Sequence, residues 1–132
     1  VINIVLAQRL VRKICTGCIY SYEINAEIEK MILDQFDKIN IPKDEVKIPK
    51  ILFKGKGCDM CEGIGYRGRV GIFEYLENTD EIKNLIISES LSTEILWKVA
   101  RKNGSETMFE DGLKKAALGI TTIEEVLRVI KE

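Results

Sequence analysis

The stretch that decides the fold reads Cys58-Asp-Met-Cys61-Glu-Gly63-Ile-Gly65-Tyr-Arg67-Gly68-Arg69-Val-Gly71-Ile-Phe73-Glu74. Two residues between cysteines let a tight turn aim both sulfurs at one point. The closely spaced glycines that follow favour tight turns, which residues with a Cβ resist. Val70 to Leu76 then has the composition of a β-strand. The stretch therefore predicts a metal-binding turn that leads into a strand.

A second pair, Cys15 and Cys18, lies upstream, and 39 residues separate Cys18 from Cys58. Two such turns can complete a tetrahedron of four sulfurs about 2.3 Å from a zinc ion. The chain contains no His and only these four cysteines. We therefore predict one structural, all-sulfur zinc site, whose ligands are Cys15, Cys18, Cys58 and Cys61.

Two other uses of these cysteines are open to the sequence: a pair of disulfides, or a redox C-x-x-C. A thioredoxin-type motif needs one C-x-x-C at the start of a helix, whereas here there are two and the second lies among glycines. A disulfide-stapled secreted domain usually spreads its cysteines more widely. The absence of His also excludes His-dependent triads and the common catalytic zinc sites.

The composition describes a near-neutral globular chain. It has 132 residues, 45% of them hydrophobic, and a net charge of −1, which gives no electrostatic reason to expect nucleic acid or an anionic membrane. No apolar run approaches the ~20 residues that span a bilayer. The start lacks both a basic leader and an initiator Met. We expect a soluble fragment of a longer protein.

Local patterns predict the secondary structure. Residues 4–12 are interpreted as a strand, residues 51–53 as a short strand, and Asn25 as the cap of an amphipathic helix that runs to about Lys38. After residue 79, apolar residues at helical spacing predict four short helices. Expected helix ends and capping boxes lie at Gly104, Gly119, Thr107-x-x-Glu110 and Thr122-x-x-Glu125.

Four motifs occur in a fixed order. Gln8-Arg9-Leu10-Val11-Arg12-Lys-Ile-Cys15 precedes the two C-x-x-C pairs, the glycine-rich strand follows them, and a helical tail starts at Asp80. This order resembles the C-terminal part of the type II secretion and type IV pilus assembly ATPases, which are hexameric P-loop motors. Those proteins carry an "AQRLVRKLC" segment, two C-x-x-C pairs, a "GYxGRxGIxE" strand and a helical tail. The resemblance spans nearly the whole chain.

The resemblance implies an α+β fold that is part of a larger P-loop ATPase domain. A small zinc-binding lobe would be inserted at the tip of a β-hairpin and followed by a C-terminal helical bundle. The implied divisions are a strand from the ATPase core (1–14), the tetracysteine lobe (15–66), a return strand (67–78) and a helical subdomain (79–132).

The resemblance also implies a function for the parent protein. It would be an ATPase that powers pilus assembly or secretion, with ATP and Mg²⁺ bound outside this chain, since no G-x-x-x-x-G-K-[ST] loop occurs in it. The chain itself would hold structural Zn²⁺, with no catalytic residue and no other cofactor. Its expected partners are neighbouring subunits of a homohexamer and the inner-membrane platform protein, at the cytoplasmic face of that membrane, and no nucleic acid is expected.

Two alternatives remain open for the zinc site. Cys58-x-x-Cys61-x-Gly63-x-Gly65 matches the repeating unit of J-domain co-chaperones, but those proteins carry four units and this chain has one. A nucleic-acid-binding zinc ribbon would require a basic face, and the near-neutral charge of the chain argues against such a ribbon. Arg67 and Arg69 could reach a neighbouring subunit, a phosphate or a carboxylate, or could simply be solvated.

Overall fold

The described part of the chain forms four strands and five α-helices. The computed structural model describes residues 2–42, 46–87, 93–102 and 104–131. The strands are β1 (Ile2–Ile14), β2 (Ile19–Glu23), β3 (Ile51–Gly55) and β4 (Tyr66–Asn78). The helices are α1 (Ala26–Lys38), α2 (Asp80–Ile87), α3 (Thr93–Lys102), α4 (Met108–Ala117) and α5 (Ile123–Ile130). The predicted α+β class is confirmed, and none of the described helices is long and apolar enough to cross a bilayer.

The strands form two separate antiparallel pairs. β1 pairs with β4 from Ile2 opposite Asn78 to Ile14 opposite Tyr66, with register shifts between Val5 and Ala7 and between Arg12 and Ile14. β2 pairs with β3. The sequence predicted β1, β3 and β4 in shorter form and did not predict β2, whose five residues are too few for a clear periodicity.

The helix caps follow the sequence with one correction. Asn25 caps α1, since its side chain accepts a hydrogen bond from the Ile28 amide at 2.9 Å. Thr107 and Glu110 form the predicted reciprocal capping box of α4. At α5 the prediction was half wrong: Thr122 accepts from the Glu125 amide at 3.1 Å, but the Glu125 carboxylate turns to two arginines, because paired cations bind it more strongly than one amide does.

One main hydrophobic core joins elements from both halves of the chain. Its fully or nearly buried side chains come from β1, α1, β3, β4, α4, α5 and the segment after α1. The Phe36 ring of α1 meets the Phe109 ring of α4 edge to face, with centroids 5.0 Å apart. A smaller cluster joins Leu76, Ile82 and Ala100. The helix between the two cysteine pairs is therefore packed against the C-terminal helices.

Backbone N–H and C=O groups on the outer edge of β4 find hydrogen-bond partners in α4 and in the segment before it. The Phe73 amide donates to Asp111 at 2.9 Å, and Lys115 donates to the Gly71 carbonyl at 2.8 Å. Further along, the Glu77 amide donates to the Ser105 hydroxyl at 2.7 Å. Since an exposed strand edge invites unwanted pairing, these contacts both anchor α4 and protect the edge.

On the outer edge of β1, a buried carboxylate, Glu125, accepts the backbone hydrogen bond. Its side chain is 2% exposed and accepts from the Arg12 amide at 3.0 Å and from the Arg12 and Arg128 guanidinium groups at 2.6–3.2 Å. Burial alone would raise the pKa of Glu125, but the hydrogen bonds from Arg128 and Arg12 outweigh it and lower that pKa to about 2. The Thr121 hydroxyl also donates to the Arg12 carbonyl, at 2.7 Å.

Replacing Glu125 by Gln should lower the free energy of unfolding by about 2–3 kcal/mol, because charge-assisted hydrogen bonds to a buried acceptor are lost. Urea denaturation at neutral pH would measure this. Glu124→Gln is the matched control, since Glu124 is 45% exposed and pairs with the surface Lys54, so its loss should cost less than about 1 kcal/mol.

The effect of Glu125→Gln should also depend on pH. The pKa of Glu125 lies near 2 in the fold, below its ordinary value of 4.5, so the ionised group stabilises the fold above about pH 4.5 and this contribution is lost as the pH falls towards 2. The stability difference between wild type and Glu125→Gln should shrink over that range. A difference that stays constant would contradict the assignment.

Gly112 marks the closest approach of α4 to α5. A Cβ at this position would lie 2.5 Å from the Val126 Cγ1 atom. In open space Gly112→Ala would stabilise a helix by about 1 kcal/mol, but here we expect a loss of about 1–3 kcal/mol from overpacking. In a double-mutant cycle, Val126→Ala should recover part of that loss, whereas strictly additive effects would show that the two sites do not touch.

Candidate metal centre

The first cysteine pair lies in the turn between β1 and β2. Cys15 directly follows the last residue of β1, and Cys18 directly precedes β2. The turn is closed by a hydrogen bond from the Cys18 amide to the Cys15 carbonyl at 3.3 Å. Both sulfurs are therefore held by the end of one strand and the start of the next.

The second pair lies in a turn just before β4. Cys58 precedes a short 3-10 helix, Asp59–Cys61, and its carbonyl accepts from the Gly63 amide at 2.9 Å. The Cys61 carbonyl accepts from the Ile64 amide at 3.3 Å. The glycines that the sequence assigned to tight turns are used here, in the return of the chain towards β4.

Backbone contacts hold the two turns against each other. The Cys15 amide donates to the Gly65 carbonyl at 2.9 Å, and the Lys56 amide to the Cys18 carbonyl at 3.2 Å. The backbones of Gly55 and Gly65 approach so closely that a Cβ on Gly55 would lie 2.2 Å from the Gly65 oxygen. Only glycine fits at Gly55, and this close approach brings the second cysteine pair to the first.

The four sulfurs form a compact cluster. All lie within 4.8 Å of one another, and the Sγ–Sγ distances are 3.7 Å for Cys15 to Cys58 and 3.8 Å for Cys18 to Cys61 and for Cys58 to Cys61. A tetrahedral ion with metal–sulfur bonds of about 2.3 Å requires sulfur separations of about 3.8 Å. A disulfide would require about 2.05 Å, and all four cysteines are free thiols.

Backbone amides point at the sulfurs. Cys61 Sγ accepts from the amides of Cys58 and Gly65, each at 3.2 Å, and Cys18 Sγ from the Gly57 amide at 3.3 Å. Burial raises the pKa of the Cys61 thiol, but its two amide donors outweigh this and lower the pKa to about 6. Burial dominates at Cys18 and raises its pKa to about 11. Of these two sulfurs, Cys61 is the better prepared to be a thiolate, the form that binds metals.

This arrangement could hold a metal ion. Cys15 and Cys61 are buried, while Cys18 and Cys58 are half-buried. The structure thus brings together the four cysteines that the sequence grouped. Four sulfur donors would fill a tetrahedral coordination sphere and leave no position open for a substrate or water, which is the pattern of a structural centre. Which ion is bound remains a prediction.

A second group of polar residues lies close by and was only partly found from sequence. Arg67 and Arg69, which the sequence singled out, are exposed. The register of the strands places Arg69 opposite Arg12, and the Arg12 guanidinium stacks on the Tyr66 ring at 4.2 Å. Arg12, Arg67 and Arg69 line one surface cavity, and Arg128 of α5 lines it too. No local pattern in the sequence pointed to Arg12 or Arg128.

Comparison with known proteins supports the family that the motifs suggested. The profile of the Type II/IV secretion system protein family matches residues 1–128. The chain is 42% identical over 123 residues to the type IV pilus assembly ATPase PilB of Thermus thermophilus, which covers 93% of this chain and 13% of that protein. It is 40% identical over 131 residues to PilB of Pseudomonas aeruginosa, covering 99% of this chain and 21% of that protein.

A secretion ATPase is similarly close. The type II secretion system ATPase E of Vibrio cholerae is 41% identical over 128 residues, covering 97% of this chain and 23% of that protein. The chain thus spans between 13% and 23% of the length of these three relatives. The family profile covers nearly the whole chain, and the three relatives are each at least 40% identical to it. The chain therefore belongs to the family of type II secretion and type IV pilus assembly ATPases.

Proposed function

We propose that this chain is the zinc-stabilised, non-catalytic C-terminal part of a hexameric ATPase that powers type IV pilus assembly or type II protein secretion. The observation that carries the proposal is the sulfur cluster, whose 3.7–3.8 Å spacing suits one tetrahedral ion, in a chain of this family. The names of the relatives favour a motor over the co-chaperone and zinc-ribbon alternatives.

Zinc is the ion that the donors fit best. An all-cysteine tetrahedral set is typical of structural Zn²⁺, which has no redox chemistry of its own. Such an ion supplies about 10–16 kcal/mol of apparent binding energy to a fold. Cys15, Cys18, Cys58 and Cys61 would each contribute one thiolate, and the N–H groups of Gly57, Cys58 and Gly65 would stabilise the negative charge on the sulfurs.

The role of this ion would be to hold the ends of an insertion together. In the proposed organisation, residues 1–14 and 67–78 form a β-hairpin, residues 15–66 form the zinc lobe at its tip, and residues 79–132 form the helical subdomain. Support comes from the pairing of Ile14 with Tyr66, beside which both cysteine pairs lie. Because a slip of one residue would turn every side chain of a strand to the other face, a clasp at this point would preserve the register.

Catalysis in the parent motor would come from elsewhere. The 132 residues contain no G-x-x-x-x-G-K-[ST] loop, so ATP and Mg²⁺ would bind outside this chain and the chain alone would be inactive. Its own work would be structural: contacts with neighbouring subunits of a homohexamer and docking on the inner-membrane platform protein, at the cytoplasmic face of the membrane. No nucleic acid partner is proposed, in keeping with the net charge of −1.

The metal proposal predicts one zinc per chain by native mass spectrometry. Chelation should reduce amide-exchange protection in residues 15–66 first, because the two turns lose their common anchor. Cys18→Ser should abolish stoichiometric zinc binding. Thr16→Ser, an exposed change inside the same turn, is the matched control and should retain it. A metal-free chain with the same protection and stability as the metal-bound chain would refute the site.

The motor proposal is tested by exchange into relatives. The matching segments of the Pseudomonas aeruginosa PilB and of the Vibrio cholerae ATPase E would be replaced by this chain, and pilus assembly and secretion would be measured. We expect at least one chimera to function, and Cys18→Ser to inactivate it while Thr16→Ser does not. Two stable chimeras that assemble but support neither process would contradict the proposal.

A further inference from the structure

A cavity of about 500 Å³ opens on the face of the β1–β4 pair that points away from the core. Alternation along the strands puts Leu10, Arg12 and Arg69 on this face, while Val11 faces the core. β4 also supplies Arg67, and α5 supplies Arg128. Four guanidinium groups from three separate elements therefore line one opening.

The cavity carries a net positive charge. Four arginines line it, and Arg12 and Arg128 share the Glu125 carboxylate. The charge of the cavity therefore comes chiefly from Arg67 and Arg69, although the whole chain has a net charge of −1. Within the described ranges, no carboxylate pairs with Arg67 or Arg69. Arg12 has its counterion in Glu125, so Arg67 and Arg69 are the cations of the cavity that can pair with an external anion.

The cavity also has an apolar wall. Leu10 is 50% exposed and Ile64 is 63% exposed, and the Tyr66 ring, on which the Arg12 guanidinium stacks, lines the same cavity. A small inorganic anion would gain nothing from these side chains. Arginine and tyrosine are, however, among the residues most enriched at protein–protein hot spots, and the exposed aliphatic groups beside them would favour an apolar side chain of a partner. A ligand that matches both parts needs carboxylates and an apolar side chain close together.

We propose that this cavity binds a segment of a partner protein in which carboxylates flank an apolar side chain. Arg67 and Arg69 would pair with the carboxylates, and the apolar side chain would cover Leu10 and Ile64. A guanidinium binds a carboxylate through two parallel N–H donors, which suits a peptide better than a spherical ion. The inference depends neither on the metal nor on ATP binding, since no cysteine and no nucleotide residue takes part.

The test uses the 132-residue chain and a fluorescein-labelled probe peptide with two leucines flanked by glutamates. Fluorescence anisotropy should show saturable binding that weakens as salt is added. The double variant Arg67→Glu/Arg69→Glu should weaken binding by about tenfold or more, since two attractive pairs become repulsive. The variant Lys38→Glu/Lys98→Glu changes the net charge equally at exposed sites outside the cavity and should bind the peptide nearly as well as wild type.

Further probes separate the possible ligands. A peptide with serine in place of leucine, and the variant Ile64→Ser, should each bind several-fold more weakly if the apolar wall contributes. Circular dichroism and thermal unfolding would show that the variants remain folded, as expected for exposed side chains. Tripolyphosphate or ATP binding as tightly as the peptide would overturn the proposal in favour of a phosphate site. Absent binding, or equal loss in the lysine control, would overturn it as well.

Discussion

The antiparallel pairing of β1 with β4 is the constraint on which the rest of the structure depends. It brings Ile14 beside Tyr66, so two cysteine pairs that are 39 residues apart in sequence meet at the end of one ladder. It also aligns the outer face on which Arg12 and Arg69 oppose each other. The two outer edges of this pair receive α4 and α5 through side-chain hydrogen bonds. The positions of the cysteine cluster, the cavity and the docked helices thus all depend on the register of β1 and β4.

Glu125 shows how charge can replace a missing strand. A central strand finds hydrogen-bond partners on both sides, but the Arg12 amide and carbonyl are instead satisfied by Glu125 and Thr121. Burying a carboxylate is costly unless it is paired and fully hydrogen-bonded. Two arginines meet that condition, and because they are themselves half-exposed, their charge is available to the cavity on the outer face. The fold and the proposed binding surface therefore use the same ion pairs.

The proposed zinc lobe is not packed as an isolated unit. Ile32 and Phe36 of α1 and Leu52 of β3 lie in the same buried cluster as Phe109 and the α5 side chains. A disturbance at the cysteines would have a path to the C-terminal helices through this core, since close-packed interiors transmit strain. In a motor, such continuity would let the lobe and the helices move as one body, whereas the turns around Cys18 and Cys58 would respond first to loss of the ion.

The sequence by itself determined the features that depend on near neighbours. Spacing grouped the four cysteines, the 3.6-residue period located the helices, and Asn25, Thr107 and Gly119 marked their ends, because caps and turns act within a few residues. Strand β2 was missed because its five residues are too few for a clear periodicity. The partners of Glu125 and the grouping of Arg12 with Arg69 and Arg128 were decided only by the tertiary structure. Arg12 and Glu125 are 113 positions apart. The Glu125 carboxylate does not complete the capping box of α5, because the packed fold brings two guanidinium groups within its reach.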